Sequence, residues 1–320
     1  MRHSHRICVA PMMDWTDRHC RYFLRQVSPN AFLYTEMITT GALLHGDVER
    51  HLAHHPREHP LGVQLGGSEP DDLATCARLA EQYGYDEINL NIGCPSERVQ
   101  RGAFGACLMA EPALVASCVR AIRSAVALPV TIKHRLGIDR DAEYGFVRDF
   151  VGTVAEAGCR TFFAHARIAV LKGLSPKENR EVPPLRYDLV YRLKRDFPAL
   201  EIVINGGISS WPEIEAHLEQ VDGVMLGRVA YHQPWLLASA GDERADVVIA
   251  MYDYALNEKA SGTALRHVTR HMLGLYHGHP RARLWRRMLS DPARLAANDP
   301  RLLLEALEAV EAAPALAAAA

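Results

Sequence analysis

One cysteine, Cys94, lies on a short turn directly after a stretch with the pattern of a β-strand. In residues 87–92 apolar and polar side chains alternate, and this period of two is typical of a strand. Gly93 and Pro95 end the strand, and the amide of Asn91 precedes the thiol by three residues. Because parallel α/β folds place their chemistry at the carboxyl ends of strands, Cys94 is a candidate catalytic residue. The competing interpretation is a small apolar filler, which is what most free cysteines are.

Polar side chains also end the predicted strands three to seven. The interior of a parallel barrel is packed with side chains, so a polar residue at the end of a strand needs a reason. Taken singly, each has an ordinary structural explanation: Gln64 or Asn91 satisfies loop backbone, and His165 is a hydrogen-bonded core histidine. Five together on one rim indicate a shared polar ligand. They are Gln64, Asn91, Lys133, His165 and Asn205.

Glycine turns follow the last two strands. Gly206 and Gly207 come after strand seven, and Gly227 with Arg228 after strand eight. TIM barrels commonly bind phosphate there on backbone N–H groups, and an arginine adds charge. The expected ligand therefore has a phosphate at one end and hydrogen-bonding edges along its length. FMN meets that description, and a lysine such as Lys133 suits the reduced, anionic flavin ring.

Eight strands are needed to place these residues. Continuously apolar strands are buried on both faces, which favours an all-parallel sheet. Eight of them, alternating with amphipathic helices in about 240 residues, is the count of a TIM (β/α)8 barrel. A doubly wound open sheet is the alternative, but no early G-x-G-x-x-G supports it. The predicted strands are residues 7–12, 32–37, 61–65, 87–92, 129–133, 161–165, 201–205 and 223–226.

The strand signals cease near residue 241. The remaining sequence has only helical patterns, is rich in Ala, Leu and Arg, and ends in an alanine tail. We therefore predict a catalytic TIM barrel over residues 1–240 and a small all-helical domain over residues 241–320.

Composition excludes several classes of protein. The 320 residues are 48% apolar and 23% charged, as expected of a globular protein with a large core. The net charge of −2 excludes a generally basic nucleic-acid-binding surface, so such a partner needs a local patch. The seven scattered cysteines include no CxxC pair, which argues against a zinc site or a disulfide framework. With no signal sequence and no apolar run of 18 residues, we expect a cytoplasmic protein with no membrane and no obligate protein partner.

Several motifs resemble one enzyme family, in order, over roughly residues 6–290. The sequence is similar to the tRNA-dihydrouridine synthases, and most similar to the A-type enzymes, which act on uridines 20 and 20a of the D-loop. The motifs are Ala-Pro-Met-Met-Asp-Trp-Thr-Asp-Arg-His-Cys-Arg (10–21), Asn-Leu-Asn-Ile-Gly-Cys-Pro-Ser (89–96), His-Ala-Arg (165–167), Ser-Pro-Lys-Glu-Asn-Arg (175–180) and Ile-Asn-Gly-Gly (204–207).

The resemblance implies FMN on a TIM barrel, reduced by NADPH, and reduction of a uracil C5–C6 bond. Hydride goes to C6, and Cys94 protonates C5. A thiol with an ordinary pKa near 8.5 is mostly protonated at neutral pH and can serve as this acid. Asn91 would contact the substrate base. By the same resemblance FMN is held by Pro11, Met12, Met13, Gln64, Lys133, His165, Asn205, Gly206, Gly207, Gly227 and Arg228.

A stacked uridine must be turned out to reach a barrel mouth, so the RNA backbone needs cationic contacts outside the pocket. Residues 259–290 contain no Asp or Glu but six arginines. On a helix, Arg283 and Arg286 share one face, and the absence of acids favours phosphate binding over an ordinary solvated face. The resemblance assigns RNA contacts to both, and to Lys177 and Arg180 in the loop after strand six.

Two other functions compete with this hypothesis. A flavin dehydrogenase of a free pyrimidine such as dihydroorotate would use the same barrel, but it leaves the acid-free helical region unexplained. A non-catalytic RNA-binding protein on an old barrel would not need Cys94 beside an intact flavin site.

Overall fold

Eight parallel strands form the centre of the structure, a computed structural model that describes residues 4–139 and 143–312. The ladder runs in the order β1-β8-β7-β6-β5-β4-β3-β2, and a bridge between Cys8 and Phe32 joins β1 to β2. The predicted TIM barrel is therefore confirmed, and the doubly wound alternative is wrong. The strands are β1 (Ile7–Val9), β2 (Leu33–Thr39), β3 (Leu61–Gly66), β4 (Glu87–Ile92), β5 (Val130–His134), β6 (Thr161–His165), β7 (Glu201–Asn205) and β8 (Gly223–Leu226).

Helices follow the strands and continue to the end of the described chain. Those after β1 to β4 are α1 (Arg18–Val27), α2 (Thr40–His45), α3 (Val48–Leu52), α4 (Pro70–Gln82), α5 (Glu97–Arg101) and α6 (Pro112–Ala125). Those after β5 to β8 are α7 (Tyr144–Glu156), α8 (Tyr187–Asp196), α9 (Trp211–Leu218) and α10 (Arg228–His232). The C-terminal helices are α11 (Arg244–Ala260), α12 (Arg266–Met272), α13 (Ala282–Ser290), α14 (Pro292–Ala296) and α15 (Leu302–Glu311).

The predicted strands match the observed ones within a few residues, and the largest difference is at β1. It ends at Val9, three residues before the predicted end. The last hydrogen bond of the ladder runs from the Ala10 N–H to the Leu226 carbonyl, over 2.8 Å. The ladder ends there because Pro11 has no N–H to donate. Residues 11–13 therefore lie in the loop beyond the strand. The predicted alanine tail (313–320) is outside the described residues.

The interior of the barrel has an apolar part and a polar part. Side chains from β1, β2, β6, β7 and β8 form one buried apolar cluster that includes Tyr34, Phe163 and Met225. On β4 the polar residues alternate with Ile88, Leu90 and Ile92, and on β5 Thr131 and Lys133 alternate with apolar residues. Register pairs Gln64 of β3 with Asn89, and Asn89 with Thr131. The polar side chains of three adjacent strands are thus brought side by side.

By backbone contacts the chain divides into two compact units. The first contains the residues up to Arg18 and those from Asn30 to Gly227, which include the barrel strands. The second contains His19–Pro29 and the residues from Arg228 onward. Within it, Tyr22 of α1 stacks on Tyr254 of α11 with ring centroids 4.0 Å apart, so α1 belongs with the C-terminal helices. Independent domains over 1–240 and 241–320 remain a prediction.

The second unit is built around Trp285. The Trp285 side chain is fully buried, its Nε1–H donates to the Met272 carbonyl over 2.8 Å, and its ring lies 4.7 Å from that of Tyr276. A tryptophan buries a large apolar area when its N–H has an acceptor. None of the helices over residues 4–139 and 143–312 is long and apolar enough to span a membrane.

Candidate active site

The Cys94 turn is held by Asn91, the last polar residue of β4. The side-chain oxygen of Asn91 accepts hydrogen bonds from the backbone N–H groups of Gly93, at 3.2 Å, and Cys94, at 3.0 Å. Such a turn, in which an Asn side chain accepts from the backbone two and three residues later, fixes the conformation of the residues after the strand. The Cys94 carbonyl accepts the Ala106 N–H at 3.0 Å, so a second loop supports the turn. Of the seven free thiols five are buried, whereas that of Cys94 is half-buried.

Gly105 allows the second loop to approach the thiol. Its φ is +78°, and a Cβ there would lie 2.6 Å from the Cys94 carbonyl oxygen. A residue with a side chain would push the loop away. The Cys94 Sγ lies 3.6 Å from the Ser96 hydroxyl oxygen, to which the thiol can donate.

Gln64 and Asn91 form one amide pair at the ends of β3 and β4. The Asn91 Nδ2 donates to the Gln64 Oε1 over 2.8 Å. Gln64 is fully buried and Asn91 half-buried. The structure therefore brings together two residues that the sequence predicted as site residues, one for FMN and one for the base.

Lys133 and Asn205 form a second pair, across β5 and β7. The Lys133 Nζ donates to the Asn205 Oδ1 at 3.2 Å, and the Asn205 Nδ2 donates to the Met225 carbonyl at 2.7 Å. Burial, and then the positive charge of Arg135, lower the pKa of Lys133 to about 7. Near neutral pH this buried amine is only partly protonated, so a ligand that brings negative charge stabilises its ammonium form.

His165 ends β6 and packs against the glycine turn after β7. Burial, followed by the charges of Arg135 and Lys133, holds the pKa of His165 well below its ordinary value, so the imidazole is neutral. A Cβ on Gly206, whose φ is +115°, would lie 2.6 Å from the His165 ring, so only glycine allows this approach. Gly207 also has a positive φ of +76°. Successive backbone N–H groups in such turns form anion-binding concavities.

The other predicted site residues follow β1, β6 and β8 or lie on α13. Pro11, Met12 and Met13 follow β1, and the side chain of Met13 is 56% exposed. Gly227 follows β8 and has open space where a Cβ would be. Arg228 begins α10, in the second unit. Lys177 and Arg180 are exposed in the loop after β6, and Arg283 and Arg286 are exposed on α13.

A model of the family described as "Dihydrouridine synthase (Dus)" matches residues 8–313. The chain belongs to the dihydrouridine synthase family. Its similar relatives include a protein of Pseudomonas putida (57% identity over 318 residues, 96% of this chain and 95% of the relative). Others are from Escherichia coli (57%, covering 96% and 92%) and Vibrio parahaemolyticus (54%, covering 96% and 97%). All three are named tRNA-dihydrouridine(20/20a) synthase, so the predicted family, including its A-type branch, is confirmed.

Sequence reasoning missed Arg135, a buried arginine. Its guanidinium donates to three backbone carbonyls in two loops: Gly93 at 3.2 Å in the Cys94 turn, and Ile168 at 3.1 Å and Asn179 at 2.8 Å in the loop after β6. Arg135 therefore ties the Cys94 turn to the loop after β6. A signal was present in the sequence, because Arg135 directly follows the polar end of β5, Lys133 and His134.

The loop after β6, which carries Lys177 and Arg180, is more ordered than its polar sequence indicates. Asn179 is fully buried within it. The side chain of Asn179 accepts the Val170 N–H at 2.7 Å and donates to the Val170 carbonyl at 2.9 Å. The charge of Arg180 makes the smallest contribution to lowering the pKa values of Lys133 and His165, after burial and the nearer charges. Positive charges of this loop and of β5 thus act on the neutral His165.

Proposed function

We propose that this protein reduces uridine to 5,6-dihydrouridine in the D-loop of tRNA, at positions 20 and 20a, with bound FMN and with NADPH as the electron donor. The observation that carries the proposal is a half-buried thiol on the turn after β4, which is held by Asn91, whose amide also pairs with Gln64. Relatives of 54–57% identity over nearly the whole chain bear the name of that activity. A tRNA substrate implies a cytoplasmic location.

The residues of the barrel rim suit FMN. Gly206 and Gly207 both have positive φ values, and open space lies where Gly227 lacks a Cβ, so backbone can come close to a phosphate. Lys133, with a pKa of about 7, gains from a neighbouring negative charge, which a reduced flavin carries. Gln64 and Asn205 offer amides for the polar edge of the ring. We assign Pro11, Met12, Met13, His165 and Arg228 to the same cofactor.

FMN, held by these residues, would supply the hydride that uracil C6 receives. Cys94 holds a proton on Sγ and gives it to C5, so one hydride and one proton complete the reduced C5–C6 bond. Asn91 fixes the two backbone N–H groups that directly precede the thiol and presents its amide to the base. Lys177 and Arg180 on the rim, and Arg283 and Arg286 on α13, contact the tRNA backbone.

The test is Cys94→Ala, assayed in both half-reactions. We expect FMN content and NADPH oxidation to be unchanged, because the thiol acts only on uracil. Dihydrouridine formation in unmodified tRNA should fall by about 10² to 10⁴, the usual loss for a general acid. Cys107→Ala is the matched control, since Cys107 is also half-buried.

Two results would contradict the proposal. Wild-type dihydrouridine formation by Cys94→Ala would remove Cys94 as the acid. Reduction of free orotate, with no reduction of tRNA, would favour the dehydrogenase of a free pyrimidine.

A further inference from the structure

A chain of hydrogen bonds crosses the polar part of the barrel interior, from the Cys94 turn to Glu87 at the start of β4. All of its side chains belong to β3, β4 and β5. Its links are Cys94 N to Asn91 Oδ1 (3.0 Å), Asn91 Nδ2 to Gln64 Oε1 (2.8 Å), Gln64 Nε2 to Asn89 Oδ1 (2.7 Å), Asn89 Nδ2 to Thr131 Oγ1 (2.8 Å) and Thr131 Oγ1 to Glu87 Oε1 (2.6 Å).

Every donor in the chain points from Cys94 toward Glu87. A carboxylate only accepts, so the single hydroxyl proton of Thr131 is used on Glu87. The Thr131 oxygen must then accept, which requires Asn89 to turn its nitrogen toward it. The same reasoning passes through Gln64 to Asn91, each amide offering oxygen on one side and nitrogen on the other.

Both ends of the chain require the same direction. At the top, the Cys94 backbone N–H only donates, so it needs the oxygen of Asn91. At the bottom, Glu87 is 2% exposed and also accepts from the Tyr34 hydroxyl, at 2.8 Å, and from the His5 Nε2, at 2.8 Å. Donors thus meet this carboxylate on both of its oxygens. The backbone N–H of Cys94 at one end and the Glu87 carboxylate at the other thus determine the orientation of three amides, which shape alone leaves ambiguous.

We propose that Glu87 and Thr131 are positioning residues that set which atoms Gln64 and Asn91 present to flavin and uracil. The inference rests on the proposed function and extends it to residues remote from the reacting atoms. The amide nitrogens of Gln64 and Asn91 each carry a second N–H beyond the one used in the chain. In the observed direction these N–H groups are donors for a ligand; in the reverse direction the Asn91 oxygen would leave the Cys94 turn.

The test is Thr131→Val, which keeps the shape of the side chain but removes the hydroxyl that links Asn89 to Glu87. Asn89 then loses its acceptor, so the orientation of Gln64 and Asn91 is set from the Cys94 N–H alone and both amides are held less firmly. We expect the dissociation constant of FMN, measured by quenching of flavin fluorescence, to rise about 5- to 20-fold. Dihydrouridine formation at saturating FMN should also fall severalfold. Thr131→Ser, which restores the hydroxyl, should recover both.

Thr161→Val is the matched control. Thr161 is the register partner of Thr131 on β6, and it donates to a different carboxylate, Glu201 Oε2, at 2.7 Å. Thr161→Val removes the same hydroxyl group at the same level of the barrel, but Thr161 is not part of the hydrogen-bond chain from Cys94 to Glu87. We expect its FMN affinity to change by less than about twofold, whatever its melting temperature.

Equal FMN affinities for Thr131→Val and Thr161→Val, with only melting temperatures changed, would overturn the inference and leave the proposed function intact. Failure of Thr131→Ser to recover FMN affinity would overturn it as well. Failure of the wild-type protein to bind FMN would be recognised separately, since it contradicts the proposed function.

Discussion

Lys133 is the single residue whose charge state most directly controls the proposed cofactor site. Burial and the charge of Arg135 lower its pKa to about 7. The anionic ring of reduced FMN stabilises the ammonium form, so binding of reduced FMN should raise this pKa and take up a proton. Below pH 7 the amine is already protonated, whereas above pH 7 binding must first protonate it. The affinity for reduced FMN should therefore fall with rising pH.

The measurement is the dissociation constant of reduced FMN, determined under anaerobic conditions between pH 7 and 9. We expect it to rise by up to about tenfold per pH unit until the pKa of the bound state is reached. In Lys133→Met the affinity should be lower at pH 7 and nearly independent of pH. An equal pH dependence in both proteins would assign the effect to another group.

At the scale of an element, helix α13 separates its structural and its charged residues. Trp285, Met288 and Leu289 are buried, while Arg283 and Arg286 are exposed on the opposite side. The spacing of three residues brings the two guanidinium groups to one face. The buried side anchors the helix, which leaves the arginines available for phosphates.

We expect Arg283→Ala and Arg286→Ala each to weaken tRNA binding by about 1.5–3 kcal/mol if the contact is a charge-assisted hydrogen bond, and by less where solvent screens it. The slope of log affinity against log salt should flatten by about 0.7 to 0.9 per lost contact. FMN content and NADPH oxidation should not change. The assay is filter or fluorescence binding at several salt concentrations.

Arg301→Ala is the control for charge, because Arg301 is an exposed arginine of the same unit that pairs with Asp299 at 2.7 Å. It should leave the salt slope near the wild-type value. If the α13 variants are folded and retain the wild-type affinity and slope, the helix is only a solvated face, and RNA contacts would be restricted to Lys177 and Arg180.

At the scale of the whole molecule, stability should depend on a buried charge cluster near the N-terminal end of the barrel. His5 contacts Glu87 through Nε2 at 2.8 Å and Glu201 through Nδ1 at 3.1 Å. Burial alone lowers the pKa of His5, but the hydrogen bonds and charges of Glu201 and Glu87 outweigh burial and raise the pKa to about 10. The folded protein therefore binds a proton that the unfolded chain releases near pH 6.5.

Because the pKa is raised on folding, the contribution of His5 is fully present below about pH 6.5 and is lost as the pH rises toward 10. We expect it to be on the order of a few kcal/mol. Urea unfolding of the wild type and of His5→Gln at pH 6, 8 and 10 checks this. The difference in free energy of unfolding between the two proteins should narrow as pH rises; a constant difference would show that His5 does not titrate in this range.

The sequence alone determined the barrel and which polar residues and glycines lie at the carboxyl ends of its strands. Strand patterns and glycine turns depend on neighbouring residues, so β6, β7 and β8 were predicted with their observed bounds. The polar strand ends were predictable because side chains alternate along a strand and parallel strands end at one rim. The family motifs were long and contiguous, and they gave the family correctly.

Only the tertiary structure decided how these residues are held. Arg135 reaches Asn179, which is 44 residues away along the chain, and Thr131 reaches Glu87, also 44 residues away. No local pattern reports such contacts, because they depend on the closure and register of the barrel. The grouping of α1 with the C-terminal helices has the same cause, since the Tyr22–Tyr254 stack is set by packing and not by sequence neighbours. The direction of the hydrogen-bond chain from Cys94 to Glu87 is the clearest case. The sequence contains Asn89, Gln64 and Asn91. Their orientation follows from the Cys94 N–H at one end and from a carboxylate that folding places beside Thr131 at the other.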